Sequence, residues 1–501
     1  MMIVTPRWKI QPMLTRQPVA AFRPLLPPRR FPANGDNGGG QSHRGTRDVL
    51  FSALVLVAAF CASAPTSSAA ENPAKTPLPA IGIAADGRSF VCRDGRPFVP
   101  MGVNYYRPGT GWAPQVWKKF DAQATRQDFA RMKALGVNCV RVFLSYGSFF
   151  MQPDELLPDG LTKFDQFLAI AEEAGIYVHP TGLDHWEGLP PWAARDRIAD
   201  PQALAVLEVF WKKFAQRYRG RSVIFAYDLR NEPEVAWDNA VMRTRWNKPV
   251  PEVKEGVDDK QLLAYQQFRE DVADEWTRRQ VAAIKSVDPQ ALVTVGLIQW
   301  SVPVVCGVRQ YAAFRPARQA KLLDFLEMHF YPLAAGFYEY SGEEAEQRNL
   351  AYLECVMREA AAPGKPVVLA EFGWYGGQLT IDGGRHPVST GEQQARWCRR
   401  AVETTKGLAV GWLNWGFFDH PEARDVSQLT GLLTSNGEMK AWGREFQKLA
   451  AGFSGRTIPM RQLGPRPTLD WDRAITSNAA GRQFLEEYVK AYRAAPRSLA
   501  P

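Results

Sequence analysis

Short apolar runs alternate with longer amphipathic stretches along residues 99–450, and this switching of hydrophobic period predicts strands and helices in turn. Val99 to Tyr105 reads as a first strand. Ala124 to Leu135, with Phe129, Met132 and Leu135 on one face, reads as the helix behind it, closed by Gly136. The pattern repeats as strand Cys139 to Leu144 with helix Leu161 to Ala174, and strand Tyr177 to Thr181 with helix Pro201 to Tyr218. A fourth strand starts at Ile224 and is followed by the long helix Gln261 to Val287. Strands five to eight read as Leu292 to Ile298, Leu323 to His329, Val367 to Glu371 and Ala409 to Trp415; helices Glu343 to Ala361, Glu392 to Thr405 and Met439 to Ala450 follow the last three. Strands alternating with helices pair in parallel, and eight such units closing on themselves predict a (β/α)8 TIM barrel of the α/β class. An open doubly wound sheet is the competing architecture, but no Gly-rich phosphate loop follows an early strand.

The ends of the chain read differently. Residues 1–47 are rich in Pro, Gly and Arg and are expected to be disordered. Val49 to Phe60 is apolar apart from Ser52, lies behind Arg44 and Arg47, and precedes Ala62-Ser63-Ala64 and Ser68-Ala69-Ala70. Basic flank, short apolar core and small-residue cleavage site describe a signal peptide over 48–70 and a secreted or periplasmic protein; an uncleaved anchor is the alternative, although the run is short for a membrane span. Its distance from Met1 implies a long leader or a start codon downstream. Cys61 follows Phe60, where a lipoprotein signal needs a small residue, so lipidation is not expected. Residues 71–81 form a linker, 82–455 the barrel, and 456–501 a tail whose amphipathic helix, Ala479 to Arg493, packs on the outside.

Charge and cysteine exclude more than they suggest. The net charge of +9 is concentrated in residues 1–70, where eight basic residues face Asp36 and Asp48. The remainder carries about +3, and no basic stripe is interleaved with aromatics, so nucleic acid is not an expected partner. Cys92, Cys139, Cys306, Cys355 and Cys398 are scattered, odd in number and free of zinc spacing. They read as small buried apolar residues, with one disulfide left open.

Candidate chemistry gathers where the strands end. The fourth strand, Ile224-Phe225-Ala226-Tyr227-Asp228-Leu229-Arg230, stops at Asn231-Glu232-Pro233, because proline cannot continue a ladder. The seventh stops at Glu371-Phe372-Gly373-Trp374. In a barrel these carboxyl ends share one face, so two distant glutamates converge, as a glycosidase pair requires. His179, His185, His329 and His420 also fall at or after strand ends, as do Tyr331 and Trp415, with Arg141 inside strand two. Trp112, Trp186, Trp192, Trp237, Trp300, Trp374 and Trp415 lie in or beside the loops that follow strands. Indole faces stack on the C–H faces of sugar rings, although about half of these rings are expected only to wedge loops against the barrel.

Several of these segments carry a specific resemblance. Phe90 to Phe98 with its Asp-Gly-Arg-Pro-Phe, Gly102-Val103-Asn104, Gly136-Val137-Asn138 through Arg141, Asn231-Glu232-Pro233, His329-Phe330-Tyr331-Pro332, Glu371-Phe372-Gly373 and Asn414-Trp415 resemble, in this order, glycoside hydrolase family 5, the cellulase and mannanase family. Thr430-Gly431-Leu432-Leu433 and Asn436 to Lys440 resemble the segment that closes the barrel in the wider clan. The resemblance implies a retaining β-glycosidase acting on a β-1,4-linked mannan or glucan. Glu232 would be its acid/base, raised in pKa partly by the neighbouring carboxylate, and Glu371 its nucleophile. Arg141 and Tyr331 would hold Glu371, Asn231 the sugar 2-hydroxyl, and His329 would lie beside Glu232, with Trp415 under the reacting sugar. The family's histidine after strand three is assigned to His185, with His179 as the fallback. No metal or organic cofactor is called for, the partner is a polysaccharide or oligosaccharide, and a monomer is expected. A transglycosylase with the same residues and a non-catalytic sugar-binding barrel are the alternatives.

Overall fold

In the computed structural model the described residues are 77–110, 115–254, 260–332, 342–374, 376, 389–423 and 426–495. The leader, the signal segment, most of the linker and Trp112 lie outside them. Eight parallel strands close a barrel: β1 (Met101–Asn104), β2 (Cys139–Ser145), β3 (Tyr177–Asp184), β4 (Tyr227–Asn231), β5 (Val293–Ile298), β6 (Leu326–Phe330), β7 (Val367–Phe372) and β8 (Gly411–Asn414). β8 returns to β1 through the pairing of Trp412 with Met101.

Local chemistry sets the helices behind these strands. Pro201–Tyr218 starts on a proline that has no N–H to leave unpaired, with Asp200 accepting from the Gln202 amide. Gly391–Thr405 opens on a reciprocal cap between Thr390 and Gln393. Pro158–Ala174 ends on Gly175 at φ 70°, a conformation that suits glycine. β5 differs, since only 3-10 turns and the four-residue helix Pro316–Gln319 separate it from β6.

At the amino end of the barrel a small antiparallel sheet, Ile81–Ile83, Phe90–Cys92 and Pro97–Phe98, supplies a plug. The Phe90 ring meets Phe225 and Phe325, which precede β4 and β6, edge-on at 5.1 Å each. The tail helix Asn478–Ala494 buries Phe484, Leu485, Tyr488 and Val489, and Tyr488 Oη donates to Glu354 on helix Glu343–Ala361. All five cysteines in the described residues are free thiols, four of them buried.

The carboxyl end is irregular where the functional groups sit. The ladder between β4 and β5 slips between Asp228 and Asn231, and that between β7 and β6 slips between Leu369 and Glu371. Such bulges re-aim side chains beside an active site. Glu232 follows at φ 46°, a left-handed turn that is unusual outside glycine, and its amide donates to Gly296 O at 2.9 Å.

Candidate active site

Arg141 is the hub of the carboxyl-end site. Its side chain is fully buried, and its guanidinium donates from Nη1 to Glu371 Oε1 (2.6 Å) and Asn104 Oδ1 (2.8 Å). Nη2 donates to Asp228 Oδ2 (2.7 Å) and Asn231 Oδ1 (3.0 Å). A buried cation needs this degree of compensation, and two carboxylates with two amide oxygens supply it. Asn104 is fixed in turn by donating to Ala370 O and Asn414 O, which ties β1 to β7 and β8.

Glu371 accepts on both sides, because Tyr331 Oη donates to its Oε2 at 3.0 Å. Tyr331 is held by its own amide, which donates to Gln299 Oε1 at 2.7 Å. Across the pocket, His329 Nδ1 lies 3.0 Å from Glu232 Oε1 and 3.5 Å from Glu371 Oε1. One ligand atom from each of Glu232, His329 and Glu371 falls within 4.8 Å of the others. The two carboxylates therefore meet across a single histidine, near enough to act on one glycosidic bond as a retaining pair does.

Burial sets the protonation. It pushes the Glu232 carboxyl up to about 7, with Arg141 opposing and the negative Asp184 assisting. Burial also raises Glu371; His329, when it carries a proton, and the Arg141 guanidinium oppose the rise, and Glu232 adds to it. His329 is lowered, first by burial, so its imidazole is neutral near pH 7. Both carboxyls cannot stay ionised at this spacing, and the shared proton belongs on Glu232: the ionised Glu371 accepts from a guanidinium and a phenol, whereas Glu232 has only the imidazole. Burial is thus the largest influence on Glu232.

Arg141, Asn231, Glu232, His329, Tyr331 and Glu371 come together here. Trp415 is buried beside them, its Nε1 donating to Ser427 Oγ at 2.9 Å and its ring edge-on to Phe143 at 5.8 Å. The two histidines considered for the position after strand three do not bond to either carboxylate. The His185 side chain is about half exposed, stacks on Trp186 at 4.5 Å and bonds Asp184 through Nδ1. His179 is fully buried and bonds Ala226 O (2.8 Å) and Glu327 Oε1 (2.5 Å). β3 continues to Asp184, so His185 directly follows the last residue of the strand.

Trp374 and Trp192 pack against other rings: Trp374 is buried against Trp397, and Trp192 sits edge-on to Tyr146 and Phe150. Asn104, Thr181, Asp228 and Gln299 were given no role from sequence. An aspartate inside the apolar run that leads to Glu232 was the available signal for Asp228.

Among the described residues two clusters have metal-ligand composition: His179, Asp228 and Glu327, and Glu232, His329 and Glu371. Arg141 donates into Asp228 in the first and into Glu371 in the second. A cation bound in either would face that guanidinium, so the donor sets fit protons better than metal ions.

A parallel eight-stranded barrel with glutamates closing β4 and β7 is the architecture of a glycosidase clan. Residues 94–420 match the Cellulase (glycosyl hydrolase family 5) model, and the chain belongs to that family. Among curated relatives, "Probable mannan endo-1,4-beta-mannosidase F" of Aspergillus flavus is 23% identical over 323 residues, covering 58% of this chain and 62% of the relative. The chain thus spans less than two thirds of that protein's length. An exo-beta-1,4-mannosidase of Opitutaceae bacterium strain TAV5 superposes with TM-score 0.58 at 21% identity, covering 74% of this chain and 62% of that one. A variant of GH5_18 from Streptomyces cattleya, solved in complex with Manb1-4GlcNAc, has TM-score 0.57 at 21% identity, covering 78% and 91% of the two chains. At these identities the superpositions establish the shared fold.

Proposed function

We propose that this protein is a retaining β-glycoside hydrolase acting on β-1,4-linked mannosyl or glucosyl saccharides, with Glu371 as nucleophile and Glu232 as acid/base. The observation that carries this is the approach of the two carboxylates to within 4.8 Å around His329, with unequal hydrogen bonding. Glu371, ionised and oriented by Arg141 and Tyr331, attacks the anomeric carbon while Glu232 gives its proton to the departing oxygen. A glycosyl ester on Glu371 results. Glu232, now a carboxylate, takes a proton from water as that water opens the ester, and the configuration is restored. His329, neutral and bonded to Glu232, moves no net charge but keeps that carboxyl facing the cleft.

Asn231 has its amide oxygen occupied by Arg141, so its amide nitrogen is the group that donates to the sugar 2-hydroxyl. The mannosidase names of the relatives favour mannose at the cleaved linkage. Export as a monomer, with 48–70 as the signal, belongs to the same reading; among the described residues no helix is long and apolar enough to cross a membrane. Incubating the protein with β-1,4-mannan, mannobiose and cellulose and following product configuration by proton NMR tests it. Release of β-configured sugar first supports retention; α-configured sugar or no release from any glycan contradicts it. A transglycosylase would give longer oligosaccharides in place of released reducing sugar.

A further inference from the structure

Trp300 and Glu234 meet at the rim of the site, and neither takes part in the chemistry above. Trp300 lies in the 3-10 turn Gln299–Ser301 directly after β5. Glu234 stands two residues beyond Glu232, with the buried Pro233 between them. The indole Nε1–H donates to Glu234 Oε1, and both residues retain solvent exposure, so the pair lies at the surface beside Glu232 rather than in the core. Its placement is firm. Val235 N donates to Ala312 O at 3.0 Å, and the buried Arg269 donates to Val235 O at 2.5 Å. The neighbouring Gln299 is pinned by the Tyr331 amide.

An acid that protonates the departing oxygen must stand on the leaving-group side of the scissile bond. Glu234 stands two residues along the chain from that acid, and its bond to the indole sets both groups beside it. We propose that Trp300 and Glu234 form a subsite for the leaving group, built for a neutral, hydroxyl-bearing sugar ring. The ring lays a C–H face against the indole and donates a hydroxyl proton to Glu234. An ionised carboxylate offers about four lone-pair positions, and the indole takes one. The same negative charge disfavours a leaving group that carries a carboxylate, such as a uronate. This rests on Glu232 as the acid.

The test compares wild type, Glu234→Gln and Trp300→Ala on β-1,4-mannobiose and on a 2,4-dinitrophenyl β-mannoside, whose aglycone donates no hydrogen bond. Glu234→Gln is expected to lower kcat/KM for the disaccharide by roughly tenfold or more and to leave the aryl mannoside unchanged. Trp300→Ala is expected to lower the disaccharide value similarly. A second reading uses the glycosyl-enzyme. An added sugar hydroxyl attacks the anomeric carbon, the Glu371 ester breaks and Glu232 takes the hydroxyl proton. That acceptor must occupy this subsite and water need not, so both variants should lower the ratio of transfer to hydrolysis. Equal losses on both substrates, or an unchanged ratio, would overturn the subsite. A wild type inactive on every β-glycoside would refute the hydrolase reading itself, and the subsite with it.

Discussion

Glu232 is held mostly protonated up to about 7, and this makes its pH dependence the most informative perturbation. Moving a carboxyl from 4.5 to about 7 corresponds to about 3 kcal/mol in favour of the protonated form. The side chain retains 26% exposure, and solvent screening reduces the part that reaches stability to about 1–3 kcal/mol. The sign is fixed by the direction. The acid is competent below pH 7 and is lost as pH rises through 7. An unshifted glutamate would be only about 0.3% protonated at pH 7, so the environment supplies about two orders of magnitude in competent enzyme. The assay is kcat/KM for mannobiose from pH 5 to 9, with a descending limb expected near 7. In Glu232→Ala acting on a dinitrophenyl mannoside, which needs no acid, that limb should vanish. The stability cost of the raised carboxyl is absent below 4.5, grows as pH rises from 4.5 to about 7, and is complete above 7. Glu232→Gln should therefore melt above wild type at pH 8 and approach it at pH 4. A wild-type limb that survives in Glu232→Ala, or a glutamine variant with no pH-dependent gain, would refute the assignment.

Other substitutions probe the network. Arg141→Met leaves Asp228 and Glu371 without their cation, so urea unfolding should show a loss of roughly 3–5 kcal/mol together with loss of activity. Tyr331→Phe removes one hydrogen bond to Glu371; kcat should fall about tenfold to a hundredfold, with the circular dichroism spectrum unchanged. In Gly296→Ala the new methyl would lie 2.9 Å from the His329 ring and 3.0 Å from Arg141 Nη2. Overpacking of about 1–3 kcal/mol and a drop in kcat should appear in melting curves and assays.

The barrel was legible because its period is local. Helices Pro201–Tyr218 and Glu343–Ala361 begin and end where the sequence places them. Strand limits were less legible. Thr181-Gly182-Leu183-Asp184 looks like a polar exit from β3, yet all four residues are buried in the strand, because barrel closure buries both faces. The glutamates closing β4 and β7 were visible from composition and position. What surrounds them was not, since Asn104 reaches Ala370 across 266 positions and Arg141 reaches Asp228 across 87. Only the closed barrel makes those groups neighbours. β3 itself runs three residues beyond the Thr181 at which its apolar run suggested an end.

The most direct measurement is to trap the covalent intermediate. A 2-deoxy-2-fluoro glycoside with a dinitrophenyl leaving group, in manno and gluco forms, slows opening of the ester more than its formation. Mass spectrometry of the digested protein should find one fluorosugar on the peptide containing Glu371. Absence of any adduct while the leaving group is released, or an adduct on Glu232, would contradict the placement of nucleophile and acid.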